Sequence, residues 1–367
     1  MDAIVAGHVC LDVFPDLSAL APGEFDSDFQ PGRLVKAGPV TLATGGAVSN
    51  TGLALNLLDI QTRLIGRIGN DLFGSALQQL IAGHGIGLDE GLFTSSESST
   101  SYSIVINPPG SDRRFLHHSG ANDDFCAQDV SDAALREARL FHFGYPPLMA
   151  KMYSNGGQQL LELFQRVKSL GLTTSLDMAY PGPESPAGRA DWPAIFKRVL
   201  PYVDVFVPSL DEVIFMLWKK TDLSLSTDLL TKIGGELMEM GAKMVLLKLS
   251  DRGLYLRTGS KAALQGAGSA VPEDLDAWAN FEAWSPCFQV DVMGTTGSGD
   301  VTVAGFLAAL LRNLPPQEAL TAALAVGACS VEAPDALSGI CSWSETWQRI
   351  KAGWARHPEP EQFSRRY

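Results

Sequence analysis

Residues 288–314 read FQVDVMGTTGSGDVTVAGFLAALLRNL, an apolar run that passes through glycines 294, 297 and 299 into a long apolar helical pattern. The run before the glycines predicts a strand and the run after them a helix. A glycine-rich turn at a helix start aims backbone N–H groups without intrahelical partners at one point, and the helix dipole adds partial positive charge there. An anion fits. Gly297 and Gly299 permit close approach and positive φ angles, and Ser298 is placed to cap the helix. Asp300 follows in the first turn. Its ordinary reading is a capping acid, interacting with the dipole by about 0.3–1 kcal/mol; beside a bound phosphate the same carboxylate can act as a base. The run is not G-x-G-x-x-G, and G-x-x-x-x-G-K-[ST] occurs nowhere, so neither common nucleotide fingerprint applies.

Working outward, β-branched apolar runs at 3–9, 63–68, 140–143, 173–177, 203–207 and 244–249 alternate with helical patterns such as 72–82, 158–170 and 228–240. That alternation predicts an α/β fold with a central mostly parallel sheet flanked by helices. Several of the strands end in a polar residue or glycine, where open α/β sheets place ligands. Residues 32–43, 100–107 and 113–118 break the rhythm with alternating faces, the last two joined by a turn at 108–112, and predict a small β-sheet lid. Residues 181–192 and 259–286 read as loops or insertions, in which Trp278 and Trp284 serve core or loop packing. A last helix is expected over 344–355.

A second glycine constellation, TGGAVSNTGLA at 44–54, precedes a helical pattern and is followed by LIGRIGNDLFG at 64–74. Alone it is a turn before a helix with a solvated Asn50. Taken with Thr295, Thr296, Gly297, Ser298, Gly299 and Asp300 about 250 residues later, it resembles the two signatures of the ribokinase-like (PfkB-type) carbohydrate kinases. The resemblance covers residues 5 to about 340.

The resemblance implies a single ribokinase-like kinase domain over 1–367, with lid strands drawn from about 12–43 and 98–119. It also implies transfer of a phosphoryl group from ATP, with Mg²⁺, to a hydroxyl of a sugar-like small molecule. Gly297, Ser298 and Gly299 would form an anion hole with Asp300, which would take the proton from the attacking hydroxyl. Asp12, at the end of the first strand, would bind the acceptor with Gly46 and Asn50. Lys248, Ser250, Gly253 and Thr295 would meet the nucleotide, and Glu212 would organise water around the metal. These residue types suit the roles. A carboxylate and an amide bind vicinal hydroxyls, and phosphoryl transfer needs mainly positioning and charge stabilisation. The family's lids often pair between subunits, which implies a homodimer.

Departures from the family pattern fall on the nucleotide half. Gly294 stands where the family has an aspartate that helps bind a monovalent cation, so a weak response to potassium is expected. The N-x-x-E element becomes Ser209-Leu210-Asp211-Glu212, the G-x-x-G element becomes Ser250-Asp251-Arg252-Gly253, and the helix over 320–331 lacks the asparagine often found near adenine. Gly120-Ala121-Asn122 resembles an element near the acceptor and reads equally as a plain turn. Arg113, Arg114, His117 and His118 could meet an acidic acceptor, although strand alternation lets only some of them point inward. Without a third ligand, His117 and His118 do not make a metal site.

Composition narrows the partners. The 28 basic against 41 acidic residues give a net charge of −13, which argues against a general grip on nucleic acid or anionic membrane. Helix starts can still bind phosphate locally. Five scattered cysteines without C-x-x-C spacing suggest reduced thiols in a cytoplasmic protein. The start MDAIVAGHV reads as a strand and not a signal peptide, and no apolar stretch reaches membrane-spanning length. Alternatives to a sugar or sugar-acid kinase are a nucleoside kinase of the same fold and a ligand-binding homologue that has lost turnover. A dehydrogenase is disfavoured, since no dinucleotide fingerprint follows the first strand.

Overall fold

The computed structural model describes residues 1–358 apart from 112 and 222. Asp112, the last residue of the expected turn 108–112, therefore lies outside the described residues. The strands are β1 (Ala3–Gly7), β2 (Cys10–Pro15), β3 (Val40–Gly45), β4 (Thr62–Gly69), β5 (Leu92–Ser95), β6 (Tyr102–Ile106), β7 (Arg114–His118), β8 (Leu140–Gly144), β9 (Thr173–Asp177), β10 (Val205–Phe206), β11 (Met244–Lys248), β12 (Leu254–Thr258) and β13 (Glu282–Ser285). They form a nine-stranded sheet in the order β13-β12-β11-β10-β9-β8-β1-β4-β5 and a four-stranded sheet in the order β3-β2-β6-β7. The large sheet is parallel from β5 across to β11, with β12 and β13 antiparallel at its edge.

Because side chains alternate along a strand, β1 feeds two cores: Ala3 and Val5 face one, Ile4 and Ala6 the other. Helices Ala47–Leu57, Ser298–Leu311 and Pro316–Val331 cover the first face. Helices Ala150–Ser169, Trp192–Val199, Leu210–Trp218 and Thr227–Glu239 cover the second. Ser298–Leu311 is buried nearly all round, as a helix made of Val, Ala, Phe and Leu must be. Helix Leu72–Ala82 falls on the expected residues because Asp71 caps it, its side chain accepting from the Gly74 N–H at 2.8 Å.

Four sequence expectations need correction. The apolar run from residue 3 onward is two strands, since the chain leaves the large sheet at His8 and Val9; Asp12 therefore lies on β2 of the small sheet and does not end β1. The strand expected over 32–43 begins only at Val40. Pro39 has no N–H to give to a ladder, and the chain before it makes a turn-like exchange with Asp16 instead. No strand forms before the glycine turn, because Gln289 N–H bonds to the Ala355 carbonyl at 2.9 Å and Met293 N–H to the Val331 carbonyl at 2.8 Å, tying the segment to the chain after the last helix and to the end of helix Pro316–Val331, not to the sheet. Finally, 259–286 is not loop throughout: it holds helices Lys261–Gln265 and Leu275–Trp278 as well as β13. Trp278 organises it, buried against Phe306 at 6.2 Å, with its indole N–H on the Leu314 carbonyl.

Candidate active site

Asp300 enters the core at the start of helix Ser298–Leu311 and is 1% exposed. Its carboxylate accepts from Asn50 Nδ2 at 2.9 Å and from the Tyr145 hydroxyl at 2.7 and 2.8 Å to its two oxygens. Its backbone carbonyl accepts from the Thr51 hydroxyl at 3.4 Å. Helix Ala47–Leu57 thus carries both Asn50 and Thr51 to a residue 250 positions away. Gly297 makes the approach possible: its φ is 70°, and a Cβ there would come within 2.5 Å of Ala336 and 3.0 Å of Asn50 Nδ2. Burial pushes the Asp300 carboxyl above its ordinary range, while Lys248 and the hydrogen bonds from Asn50 and Tyr145 pull it back. Ser298 does not cap the helix. Gly297 occupies the cap position, and the Ser298 hydroxyl donates back to the Thr295 carbonyl at 3.0 Å.

Below the glycine turn lies a buried ion pair. Lys248, the last residue of β11, puts its ammonium 2.7 Å from both oxygens of Asp177, which ends β9 and has no exposed side-chain surface. Burial drives the Asp177 carboxyl up to about 7, against the pull of Lys248. Burial alone would lower the Lys248 ammonium, but Asp177, Glu212 and Asp300 outweigh it and hold it above its usual value. A Cβ at Gly299 would sit 3.6–3.9 Å from the Lys248 side chain, so the lysine lies directly against the turn. Glu212 closes a capping box: one of its oxygens accepts from Ser209 N–H at 2.7 Å, and the other takes no hydrogen bond among the described residues.

The small sheet contributes a row of cross-strand partners, Ala43, Asp12, Ser103 and His117, which share one face. Asp12 is 8% exposed and accepts from the Cys10 thiol at 3.2 Å; Ser103 bonds His117 Nδ1 at 3.0 Å. Burial raises the Asp12 carboxyl to about 6, and the Asp300 charge adds to that. Gly45 is where Asp12 fits, since a Cβ there would lie 2.4 Å from its Oδ2. Gly46, with φ 85°, starts helix Ala47–Leu57 beside His8. Just before β7, Arg113 donates to the hydroxyl of Thr295 at 2.5 Å and to that of Thr296, joining the small sheet to the glycine turn.

The structure therefore brings Gly297, Ser298, Gly299, Asp300, Asn50, Thr295 and Lys248 together, with Asp12 and Gly46 on the adjoining side. Ser250 and Gly253 form the turn between β11 and β12; Gly253 has φ 100°, and a Cβ would meet the Ser285 carbonyl at 2.0 Å. Asn122 binds backbone, clamping Val9 through its N–H at 3.2 Å and carbonyl at 2.9 Å. Arg114 pairs with Asp26, away from the site. Tyr145 and Asp177 were not singled out from the sequence. Asp177 carried the usable signal of a polar residue closing a strand, while Tyr145 depends on a left-handed backbone (φ 69°) that no local motif announces.

A helix start shaped for an anion, with a carboxylate in reach and an ammonium beneath it, suits phosphoryl transfer on an α/β frame. The family model described as pfkB family carbohydrate kinase matches residues 16–342, and the chain belongs to that family. Fructokinase-2 of Oryza sativa subsp. japonica is 22% identical over 84% of this chain and 79% of its own length. The 2-dehydro-3-deoxygluconokinase of Bacillus subtilis (strain 168) is 22% identical over 84% of this chain and 87% of its own. Among solved structures, Arabidopsis thaliana ribokinase complexed with ribose and ATP superposes with a TM-score of 0.73 at 20% identity, covering 95% of this chain and 98% of that one. Xylella fastidiosa fructokinase with bound ATP gives 0.71 at 20% identity over 95% and 98%. The fold is ribokinase-like.

Proposed function

We propose that the chain transfers the γ-phosphoryl group of ATP to a hydroxyl of a sugar or sugar-like small molecule, with Asp300 as the base. The observation that carries this reading is the Asp300 carboxylate, buried at the glycine-rich helix start and oriented by Asn50 and Tyr145. An acceptor hydroxyl within its reach gives up its proton as it attacks, and helix-start N–H groups at 297–300 stabilise the charge on the transferred group. Lys248 offsets the negative charge gathered there by Asp177, Glu212 and Asp300. Asp12, Gly46 and Asn50 hold the acceptor. Lys248, Thr295 and the Ser250–Gly253 turn border the nucleotide, with Lys248 acting through the buried pair.

Among the described residues no three His, Cys, Asp or Glu side chains form a direct cage for a metal. Mg²⁺ fits this donor set, because it keeps several waters and binds mainly substrate phosphates. Glu212, with one oxygen unengaged, would orient those waters, and the ion would neutralise phosphate charge. The whole chain is read as one kinase unit in which the small sheet is the lid, and lid closure would exclude water. On the opposite face of that lid Leu42, Val13, Ile104 and Leu116 pair across the strands, with Leu42 and Leu116 exposed, which supports a homodimer through the lid. Among the described residues no helix is long and apolar enough to cross a membrane, and the five cysteines are free thiols, which fits a cytoplasmic location.

The test is an ATP-consumption screen over sugars, sugar acids and nucleosides, repeated with Asp300→Asn. Acceptor-dependent turnover that the variant loses supports the proposal. No turnover with any acceptor favours a ligand-binding homologue.

A further inference from the structure

We infer that His8 is a specificity-determining residue of the acceptor site, its two ring nitrogens kept for hydroxyl groups of an uncharged acceptor. The inference rests on the kinase reading above. His8 is 2% exposed, and neither ring nitrogen has a hydrogen-bond partner among the described residues. Buried polar atoms are nearly always paired, because leaving one unpaired forfeits its hydration. His142 is the nearest comparison: its Nδ1 is held by Ser175 at 2.9 Å, and it lies within β8, paired with Val5. His8 has both nitrogens open and sits where the chain passes from the large sheet to the small one.

The root of the ring is rigid. The His8 N–H donates to the Gly144 carbonyl at 3.2 Å, its carbonyl accepts from Val48 N–H at 3.1 Å, and Asn122 clamps the next residue. Its neighbours are those of the acceptor side. A Cβ on Gly46 would lie 2.6 Å from Nδ1, the His117 ring is 5.3 Å away, and the Tyr145 ring, whose hydroxyl rests on Asp300, is 6.0 Å away. An unpaired imidazole in that position is a ready partner for an acceptor uncovered by movement of the His117 strand.

Charge then selects the acceptor class. Burial, with His117 nearby, drives His8 down to about 3, so the ring is neutral and offers one donor and one acceptor, the pattern that reads adjacent hydroxyls. Asp12 and Asp300 are the carboxylates on this side, and the Lys248 ammonium next to Asp300 is already held by Asp177. Arg114 is committed to Asp26, and Arg113 to Thr295 and Thr296. A carboxylate-bearing acceptor would meet two like charges, whereas a polyhydroxy acceptor would meet hydrogen-bonding partners.

The experiment compares aldopentoses, aldohexoses and ketohexoses with the corresponding aldonic and uronic acids on the wild type, His8→Phe and His8→Gln. We expect uncharged acceptors to be preferred, with acceptor KM raised about tenfold or more in His8→Phe and partly restored in His8→Gln, while ATP KM and Tm hold. In ¹⁵N-NMR of the wild type, His8 should stay neutral from pH 5 to 8 and its ring signals should move when acceptor is added. Preference for the acids, an unchanged acceptor KM in a folded His8→Phe, or static ring signals would overturn the inference. If no acceptor consumes ATP, the kinase reading fails, and the NMR titration still decides whether an acceptor reaches His8. That titration also decides should His8→Phe not fold.

Discussion

Around Asp300 the polar groups are closed into a buried network, with Asn50, Tyr145 and Thr51 all directed at one residue. The turn proposed to border the nucleotide is the opposite. Asp251 and Arg252 have 89% and 60% of their side-chain surface exposed, and Val292 and Met293, just before the glycines, are 62% and 68% exposed. The first region turns its side chains onto one another; the second holds its backbone in a tight turn and leaves its side chains to solvent. Changes in the first should act on turnover and on the pH profile, and changes in the second on KM for ATP.

The sharpest way to break the contrast is Lys248→Met. It leaves the Asp177 carboxylate buried without its partner, and a loss of about 3–5 kcal/mol in stability is expected, read as a large fall in Tm. Adding Asp177→Leu should recover much of that loss; if the single variant melts like wild type, the pair is not structural. Next is Tyr145→Phe. Its hydroxyl favours the ionised form of Asp300, and removing a hydrogen bond to a charged group costs roughly 1.5–3 kcal/mol, so kcat should fall about tenfold or more. The same loss raises the Asp300 pKa, and the acid limb of kcat should move to higher pH.

Asp12 gives a pH test of its own. The ionised form is the one that accepts a hydroxyl, so kcat/KM for the acceptor should decline as pH falls through about 6, and Asp12→Asn should remove that limb. Arg113→Ala cuts the link from the small sheet to the glycine turn, and an effect of about 1 kcal/mol, roughly fivefold in kcat/KM with Tm unchanged, is expected. Smallest is potassium. A Cβ at Gly294 would come within 2.7 Å of the Pro334 carbonyl and 2.9 Å of that of Ala333, so backbone packs where a cation-binding carboxylate would begin. Replacing potassium with a bulky organic cation should leave the rate unchanged within error; strong activation by potassium would contradict this.

How much of this was readable differs by region for a physical reason. Leu72–Ala82 falls where apolar periodicity puts it, because it buries Leu77 and Ile81 on one face, whereas Thr173–Asp177 is marked by its β-branched start. The segment before Gly294 looked equally strand-like, yet its N–H groups go to Val331 and Ala355, partners that only the tertiary fold supplies. Asp300 and Asn50 could be picked out because glycines flank them, and a glycine turn leaves a local trace. Tyr145 and His8 leave none, and Arg113 shows itself only as a basic residue beside a strand, with nothing to announce its partners Thr295 and Thr296. Their roles arise from a left-handed residue at a strand end, a reach across the cleft and a ring without a partner.

The most direct measurement sets Asp300→Asn beside wild type with the best acceptor, recording acceptor binding by calorimetry and turnover in the same preparation. The account predicts that kcat falls on the order of 10²–10⁴-fold while the acceptor Kd changes only a few-fold, the mark of a lost base. Turnover close to wild type, or a loss carried wholly by weaker acceptor binding, would contradict it.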